Sequence, residues 1–334
     1  MDGRTPEGPI DNARRQTTLP VVCFLPVMND LVTKKFLEPA LLDFGCDPTG
    51  QGRRLEHFGG VLIDRPLPAS RAARRQPGLW QEATAIFREA SRGHGNWEIC
   101  GPIPDPWLVE LALPGHILRL LVRLAPSGQV GIFLEQWPLW QWLTQSTPAG
   151  SRILSLFAHS GAATLALAAA GAEVVHIDSS RQALELAREN AAASGLATAP
   201  IRWVREDARR FVSRELRRGS RYDGFVLDPP SWGHGPKGEA FAIDRDLPLL
   251  LADCRRLLAP GANGPVLLSA HSPGWQPRRL QATLTTSLET MPAAIRVSSG
   301  ELTCTDLAGR LLPQGGFARA GGLPPPGNRE TNSQ

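Results

Sequence analysis

Asp228-Pro229-Pro230 is the stretch of this 334-residue chain whose residue types point most directly to chemistry. Each proline fixes its own φ, lacks an N–H and pushes the residue before it towards an extended conformation. The carbonyl oxygens of such a turn can accept from a substrate. With the Asp228 carboxylate they form an acceptor set suited to an exocyclic amine, which has two hydrogens to donate. Two more acids fall at comparable places, Asp178 after the apolar run Val174–Ile177 and Asp207 after Ile201–Val204. Ligands of doubly wound α/β sheets sit beyond the carboxyl ends of the strands, and an acid ending the second strand can hold both hydroxyls of a ribose. Three successive acidic strand ends therefore outline one site.

The elements that must position these acids follow from hydrophobic pattern. Ile153–Phe157 suits a strand buried on both faces, Thr164–Ala170 an Ala-rich helix packed closely on a sheet, and Gly171 its stop. Helix Arg181–Ser194, strand Ile201–Val204, a helix from Ala208 to about Arg218 and strand Gly224–Leu227 come next. Beyond Asp228 the pattern predicts helix Asp246–Leu258, strand Pro265–Leu268, helix Pro277–Met291 and closing strands Ile295–Val297 and Glu301–Cys304. The loop after Ile153–Phe157 limits the nucleotide. A dinucleotide site wants Gly-x-Gly-x-x-Gly so that a pyrophosphate can approach the backbone. Phe157 and His159 stand where the first two glycines would fall, and only Gly161 remains. A pyrophosphate is disfavoured; S-adenosylmethionine, with an uncharged ribose and a small amino-acid tail, fits better.

Leu156-Phe157-Ala158-His159-Ser160-Gly161, His176-Ile177-Asp178-Ser179, Ala187-Arg188-Glu189-Asn190-Ala191, Asp207-Ala208 and Leu227 through Gly238 together carry a resemblance. The chain resembles the class I S-adenosylmethionine-dependent methyltransferases, in the branch of ribosomal RNA large-subunit methyltransferases of the RlmI and RlmK kind. The likeness covers roughly residues 130–275 and, more loosely, a segment from about Leu55. It implies an α/β fold, a Rossmann-like doubly wound methyltransferase sheet preceded by a small β-rich domain that helps seat the RNA. It also implies S-adenosyl-L-methionine as cofactor, RNA, ribosomal in kind, as partner, and no metal. Cofactor contacts are implied for Phe157, Ala158, Ser160, Gly161, Thr164, Asp178, Ser179, Asp207, Ala208 and Asp228, with Gln136 or its neighbour Glu135 at the amino-acid tail. Asp207 is expected to face the adenine amino group. Asp228, Pro229 and Pro230 take the catalytic place, and Ser231, Trp232 and Lys237 the substrate side.

Two departures from the family pattern bear on the reaction. Nucleic-acid amino methyltransferases follow Asp-Pro-Pro with an aromatic that stacks on a flipped-out base; here Ser231 stands there and Trp232 follows one position late. The pyrimidine C5 enzymes of the family carry a cysteine in a Ser-Cys-Ser context, whose thiolate adds to C6. Here Ser269-Ala270-His271-Ser272 puts Ala270 in that place. Exocyclic amino methylation is therefore expected over C5 methylation. A methyltransferase acting on a small molecule or protein is the nearest alternative. A nicotinamide-dependent oxidoreductase is disfavoured by the missing glycines, and a non-catalytic RNA-binding module remains as a further reading.

Composition sets the frame. A formal charge of +4 permits an anionic partner without demanding one. Cys23, Cys46, Cys100, Cys254 and Cys304 are scattered, odd in number and without paired metal spacing, which argues against a disulfide framework or zinc site and for a reducing cytoplasm. The apolar runs are too short for a bilayer, and the start lacks a basic segment before an apolar core, so no membrane span or targeting segment is expected. Residues 1–44 read as a partly disordered leader, 45–129 as the small β-rich domain, 130–318 as the methyltransferase domain and 319–334 as a disordered tail. Within 45–129 the pattern predicts a strand at Gly60–Asp64, a helix near Gly78–Ser91, a strand at Trp97–Cys100, and a hairpin of Trp107–Leu113 with Ile117–Leu124. Trp137, Trp140 and Trp142 are expected to pack the domain interface. Residues 202–221 hold eight arginines against three acids, a candidate phosphate face or a solvated helix face, and Arg53, Arg54, Arg71, Arg74 and Arg75 form a second patch. Gly233–Glu239 reads as a loop carrying His234 and Lys237.

Overall fold

Short strands separated by tight turns build the front of the structure. The computed structural model describes residues 38–91, 93–235, 238–289 and 296–321. Within them β1 (Ala40–Cys46), β2 (Gly52–Phe58), β3 (Val61–Pro66), β4 (Ala85–Ser91) and β5 (His94–Ile99) pair in chain order into a five-stranded sheet. Strand β1 corrects the expectation of a leader to residue 44: Leu41 and Leu42 are buried, and the backbone pairs with β2 from Ala40 onward. The expected helix near Gly78–Ser91 is corrected as well. A 3-10 turn, Leu79–Glu82, precedes β4, because Ala85 and Phe87 alternate inward with a period of two and the segment fills the gap between β3 and β5.

The hairpin of β6 (Leu108–Leu113) and β7 (His116–Leu121) leads towards helix α1 (Trp137–Ser146), which the uneven tryptophan spacing did not suggest. Then come β8 (Arg152–Leu156), α2 (Ala162–Ala169), β9 (Glu173–Asp178), α3 (Arg181–Ala193), β10 (Ile201–Arg205), α4 (Ala208–Arg217) and β11 (Gly224–Leu227). A small hairpin, β12 (Trp232–His234) with β13 (Ala240–Ala242), replaces the open loop expected there, and Lys237 lies outside the described residues. Helix α5 (Ile243–Arg256), β14 (Val266–Ala270), α6 (Pro277–Leu288), β15 (Ser298–Thr305) and β16 (Leu311–Ala320) complete the described chain.

The large sheet has the order β10-β9-β8-β11-β14-β16-β15. Its first five strands run parallel, and β16 is antiparallel to both β14 and β15. The strand order reverses between β8 and β11, and the crevice beyond their carboxyl ends is the switch point where such sheets bind ligands. The expected strand Ile295–Val297 is not found: Ile295 lies outside the described residues, and Arg296 and Val297 precede β15. Strand β16 runs through Arg319 and Ala320, the first residues of the expected tail, because its backbone pairs with β14 up to Val266.

One continuous core joins the two parts. Phe58, Val61, Ile63 and Trp107 of the front pack in the same cluster as Leu118, Trp140, Ile153, Leu165 and Val174. Polar ties fix the register between the parts. Asn190 Oδ1 of α3 accepts from Leu121 N (2.8 Å), Ser194 Oγ accepts from Arg119 N (2.9 Å), and Trp137 Nε1 donates to Ala112 O (2.9 Å). Buried Asp43 accepts from Arg75 N, Gln76 N, Trp80 Nε1 and the Arg310 guanidinium, tying the β15–β16 turn to the front sheet. Among the described residues no helix is long and apolar enough to cross a membrane.

Candidate functional site

The three acids predicted to end strands do lie at the carboxyl edge of the sheet, each held differently. Both Asp178 oxygens accept a main-chain N–H, from His159 and from Ser180, each at 2.8 Å. The carboxylate thus clamps the loop after β8 to the start of α3. Asp207 is the N-cap of α4, with Oδ1 accepting from Arg210 N at 3.1 Å and the side chain largely buried. Asp228 accepts from two side chains that converge on it, Gln136 Nε2 on Oδ2 (2.7 Å) and Ser269 Oγ on Oδ1 (2.8 Å). Pro229 is buried and Pro230 exposed.

The loop between β8 and α2 adopts a glycine-like path without the glycines. Phe157 (φ 54°), His159 (φ 44°) and Gly161 (φ 87°) are all left-handed. That conformation costs a non-glycine residue roughly 1–3 kcal/mol, so the surroundings must over-determine it. They do: Ala158 N donates to Ile177 O, Ser160 Oγ to Gly131 O, Asn190 Nδ2 to Ser160 O and His159 N to Asp178. The Phe157 ring packs on Phe241 with centroids 5.0 Å apart, and His159 meets Phe133 edge-on at 5.6 Å. Gly161 has a steric reason of its own, since a β-carbon there would lie 3.0 Å from Ala187 Cβ on α3. The constraint comes from helix packing.

Two cavities meet at Phe157. One is lined by Phe157, Ile177, Asp178, Ser179, Glu206, Asp207, Ala208 and Pro230, with Gly233, Gly235 and Phe241 closing it. The other is lined by Phe133, Gln136, Trp140, Ala158, His159, Ser160, Asp228 and Ser269 among others. Among the described residues that line them there is no lysine or arginine. The lining residues fit an adenosyl ligand with an uncharged ribose and an amino-acid tail. Nor is there, among the described residues, a group of His, Cys, Asp and Glu that could hold a metal ion.

Several sequence-derived candidates are not among the residues lining these two cavities. Thr164 is fully buried, its hydroxyl paired with Ser155 Oγ (3.2 Å) and His176 Nδ1 (2.9 Å) beneath the loop, so it does not reach either cavity. Glu135 turns away from Asp228 towards Gln314 (3.4 Å) and His271, and burial pushes its carboxyl up against the opposing pull of His271. Gln136 alone of that pair lines the site. Ser231 Oγ donates to Ser272 Oγ at 2.8 Å, and Trp232 stands 60 % exposed at the start of β12.

Part of the basic stretch is held in ion pairs: Arg209 pairs with Asp207 and Asp246, Arg210 with Glu239, Arg214 with Glu206 and Arg218 with Glu215, of which Asp246 and Glu239 come from other segments. In the front sheet Arg53 is buried against Asp64, Arg54 donates to Gln314, and Arg74 lies 3.6 Å over Trp80. Arg71 is turned to the carbonyls of Pro68 and Ser70.

Sequence reasoning missed Ser269 and His271 as site residues. The signal was present: the strand beside the Asp-Pro-Pro strand ends in Ser269-Ala270-His271, and its end must lie against Asp228 once β11 and β14 pair.

Comparison with known proteins agrees with this geometry. The model of the S-adenosylmethionine-dependent methyltransferase family matches residues 96–290. The ribosomal RNA large subunit methyltransferase K/L of Hahella chejuensis is 35% identical over 154 residues, covering 46% of this chain and 21% of that protein. The ribosomal RNA large subunit methyltransferase I of Aeromonas hydrophila is 30% identical over 191 residues, covering 57% of this chain and 44% of the relative. The match thus spans less than half the length of either curated relative. Among solved structures, an S-adenosylmethionine-dependent methyltransferase from Agrobacterium tumefaciens superposes with a TM-score of 0.76 and 35% identity, covering 85% of this chain and 90% of that one.

Proposed function

The chain belongs to the S-adenosylmethionine-dependent methyltransferase family, and from that premise we propose that it methylates an exocyclic amine of a base in RNA. Ribosomal RNA is the substrate named for its curated relatives. The observation that carries the amine reading is Asp228. Its carboxylate is fixed as an acceptor by Gln136 and Ser269, at the head of a turn whose two prolines donate nothing.

S-adenosylmethionine supplies an electrophilic methyl group on a sulfonium. The chain's own residues bind, orient and exclude water. Asp178 would take the ribose hydroxyls, Asp207 and Ala208 the adenine edge, and Gln136 with Ala158 and Ser160 the amino-acid tail. Methyl transfer gains mainly from holding the nucleophile in near-attack geometry. Asp228 and the Pro229 and Pro230 carbonyls would hold an amine by its two hydrogens and draw its lone pair towards the reacting face. Trp232 would stack on the base, a contact that contributes about 1–3 kcal/mol. C5 chemistry is disfavoured by the same strand ends, since Ala270 offers no thiol, and burial pushes the Cys304 thiol up to about 12. The reading places the enzyme with ribosomal RNA in the cytoplasm.

Transfer of a tritiated methyl group to ribosomal RNA lacking its modifications tests this. Label is expected on an amino group of the base, and Trp232→Ala should raise KM for RNA about tenfold. Label on pyrimidine C5 would overturn the amine assignment, and label only on small molecules or protein would overturn the RNA assignment.

A further inference from the structure

His271 approaches Asp228 beside Ser269: its Nε2 lies 3.8 Å from Oδ1, the oxygen to which Ser269 donates. Its Nδ1 lies 2.9 Å from the main-chain oxygen of Gln314 on β16. A carbonyl only accepts, so in the neutral ring the hydrogen sits on Nδ1 and Nε2 is left as an acceptor. That Nε2 lies 3.2 Å from Gln136 Nε2, the same amide nitrogen that donates to Asp228 Oδ2 at 2.7 Å. One amide nitrogen carries two hydrogens, and a carboxylate oxygen and an imidazole lone pair take one each. The ring is fixed in place by Phe133, 5.9 Å away between centroids.

We infer that His271 is a positioning residue for methyl transfer. In its neutral, Nδ1-protonated form it fixes the Gln136 amide with nitrogen towards the site and so holds Asp228 in its acceptor orientation. The inference rests on the reading of Asp228 as the group that receives the substrate amine. Protonation reverses the arrangement. An imidazolium Nε2–H would face the amide N–H, donor against donor. Relief comes either by turning the amide, which sets its oxygen against the carboxylate, or by donation from the ring to Asp228 Oδ1, now 3.8 Å away. Both outcomes remove acceptor capacity that the amine needs.

The charged groups facing the ring are Asp228 on one side and Glu135 Oε1, 3.6 Å from Nδ1, on the other. Gln136, Gln314 and Phe133 are its neutral neighbours. Arg54 and Cys304 touch the Gln314 side chain, Arg54 pairs with Glu56, and the charges of Arg54 and Glu56 act on Glu135. His271, Gln136 and Asp228 thus form a three-residue unit that involves no bond making of its own.

Long-range proton–nitrogen correlation on the full chain labelled at histidine and glutamine tests the inference without substrate. His271 is expected as the Nδ1–H tautomer. The Gln136 side-chain amide signals should shift with the midpoint of the His271 ring, and lose that dependence in His271→Phe. An Nε2–H tautomer, or a Gln136 amide indifferent to the ring's titration, overturns it. In turnover, His271→Phe should lower kcat about tenfold while calorimetric affinity for S-adenosylmethionine stays within about twofold. His271→Gln, which restores a neutral acceptor, should recover part of kcat. Equal kcat in parent and His271→Phe overturns the inference. If the parent methylates no RNA, the nucleobase reading fails, while the tautomer and the amide titration still decide the role of His271.

Discussion

Gln136 and Asp228, separated by 92 positions in the chain, meet at 2.7 Å with the amide donating to the carboxylate. Gln136 closes a 3-10 turn, Leu134–Gln136, just before α1, and Asp228 follows β11. Hydrogen bonds to charged groups contribute about 1.5–3 kcal/mol each. Asp228→Ala should therefore abolish methyl transfer while binding S-adenosylmethionine within a few-fold of the parent, and Ser269→Ala should lower kcat about tenfold. Calorimetry beside a methyl-transfer assay separates the two effects, and full turnover by Asp228→Ala would remove it from the site.

Asp178 has a double task that the structure makes explicit. Its oxygens hold His159 N and Ser180 N as well as facing the cavity where a ribose would lie. Asp178→Ala should weaken S-adenosylmethionine affinity at least about tenfold, a loss of about 1.4 kcal/mol, and should also lower the unfolding midpoint. Unchanged affinity in a folded variant would sink the ribose assignment.

Gly161→Ala combines a left-handed φ of 87° with a 3.0 Å approach to Ala187 Cβ. A destabilisation of about 1–3 kcal/mol is expected, read from chemical denaturation. Ala187→Gly in the same chain should return part of it, because the contact is between helices.

His176 is fully buried beneath the loop, and burial, with His159 and Arg188 acting in the same direction, holds it down to about 3 from the ordinary 6.5. Below 6.5 the unfolded chain binds a proton that the folded one refuses, so stability falls as pH falls. Between pH 7.5 and 5 this one group should remove about 2 kcal/mol. Denaturant midpoints across that range measure it, and His176→Gln should show a correspondingly flatter profile.

Cys254 is buried within α5 and Cys304 is held as a thiol by burial, while Cys46 and Cys100 lie in the front sheet and just beyond it. Replacing Cys254 and Cys304 by alanine should leave kcat within about threefold of the parent. Loss of activity traced to either thiol, or a covalent complex with RNA containing 5-fluorocytosine, would restore C5 chemistry.

Local sequence carried the methyltransferase half far. The runs around Ile153, Val174, Phe225 and Val266 are buried within a parallel sheet and read as strands by composition, the edge run from Ile201 is only partly buried yet still apolar enough to read as one, and the acids at 178, 207 and 228 follow from where those runs stop. The front sheet was harder to read, because β4 and β1 owe their strand form to partners already in place, and Phe87 or Leu42 has no strong local signal without them. Strand β16 needed β14 beside it for the same reason. The charge pattern could not show the pairing of the arginines, because pairing is set by distance in space: Glu239 and Asp246 arrive at α4 from other segments. Only the tertiary structure could bring Gln136, Asp228, Ser269 and His271 to one carboxylate. They come from a turn and two adjacent strand ends, and strand order, which no local pattern encodes, places them together.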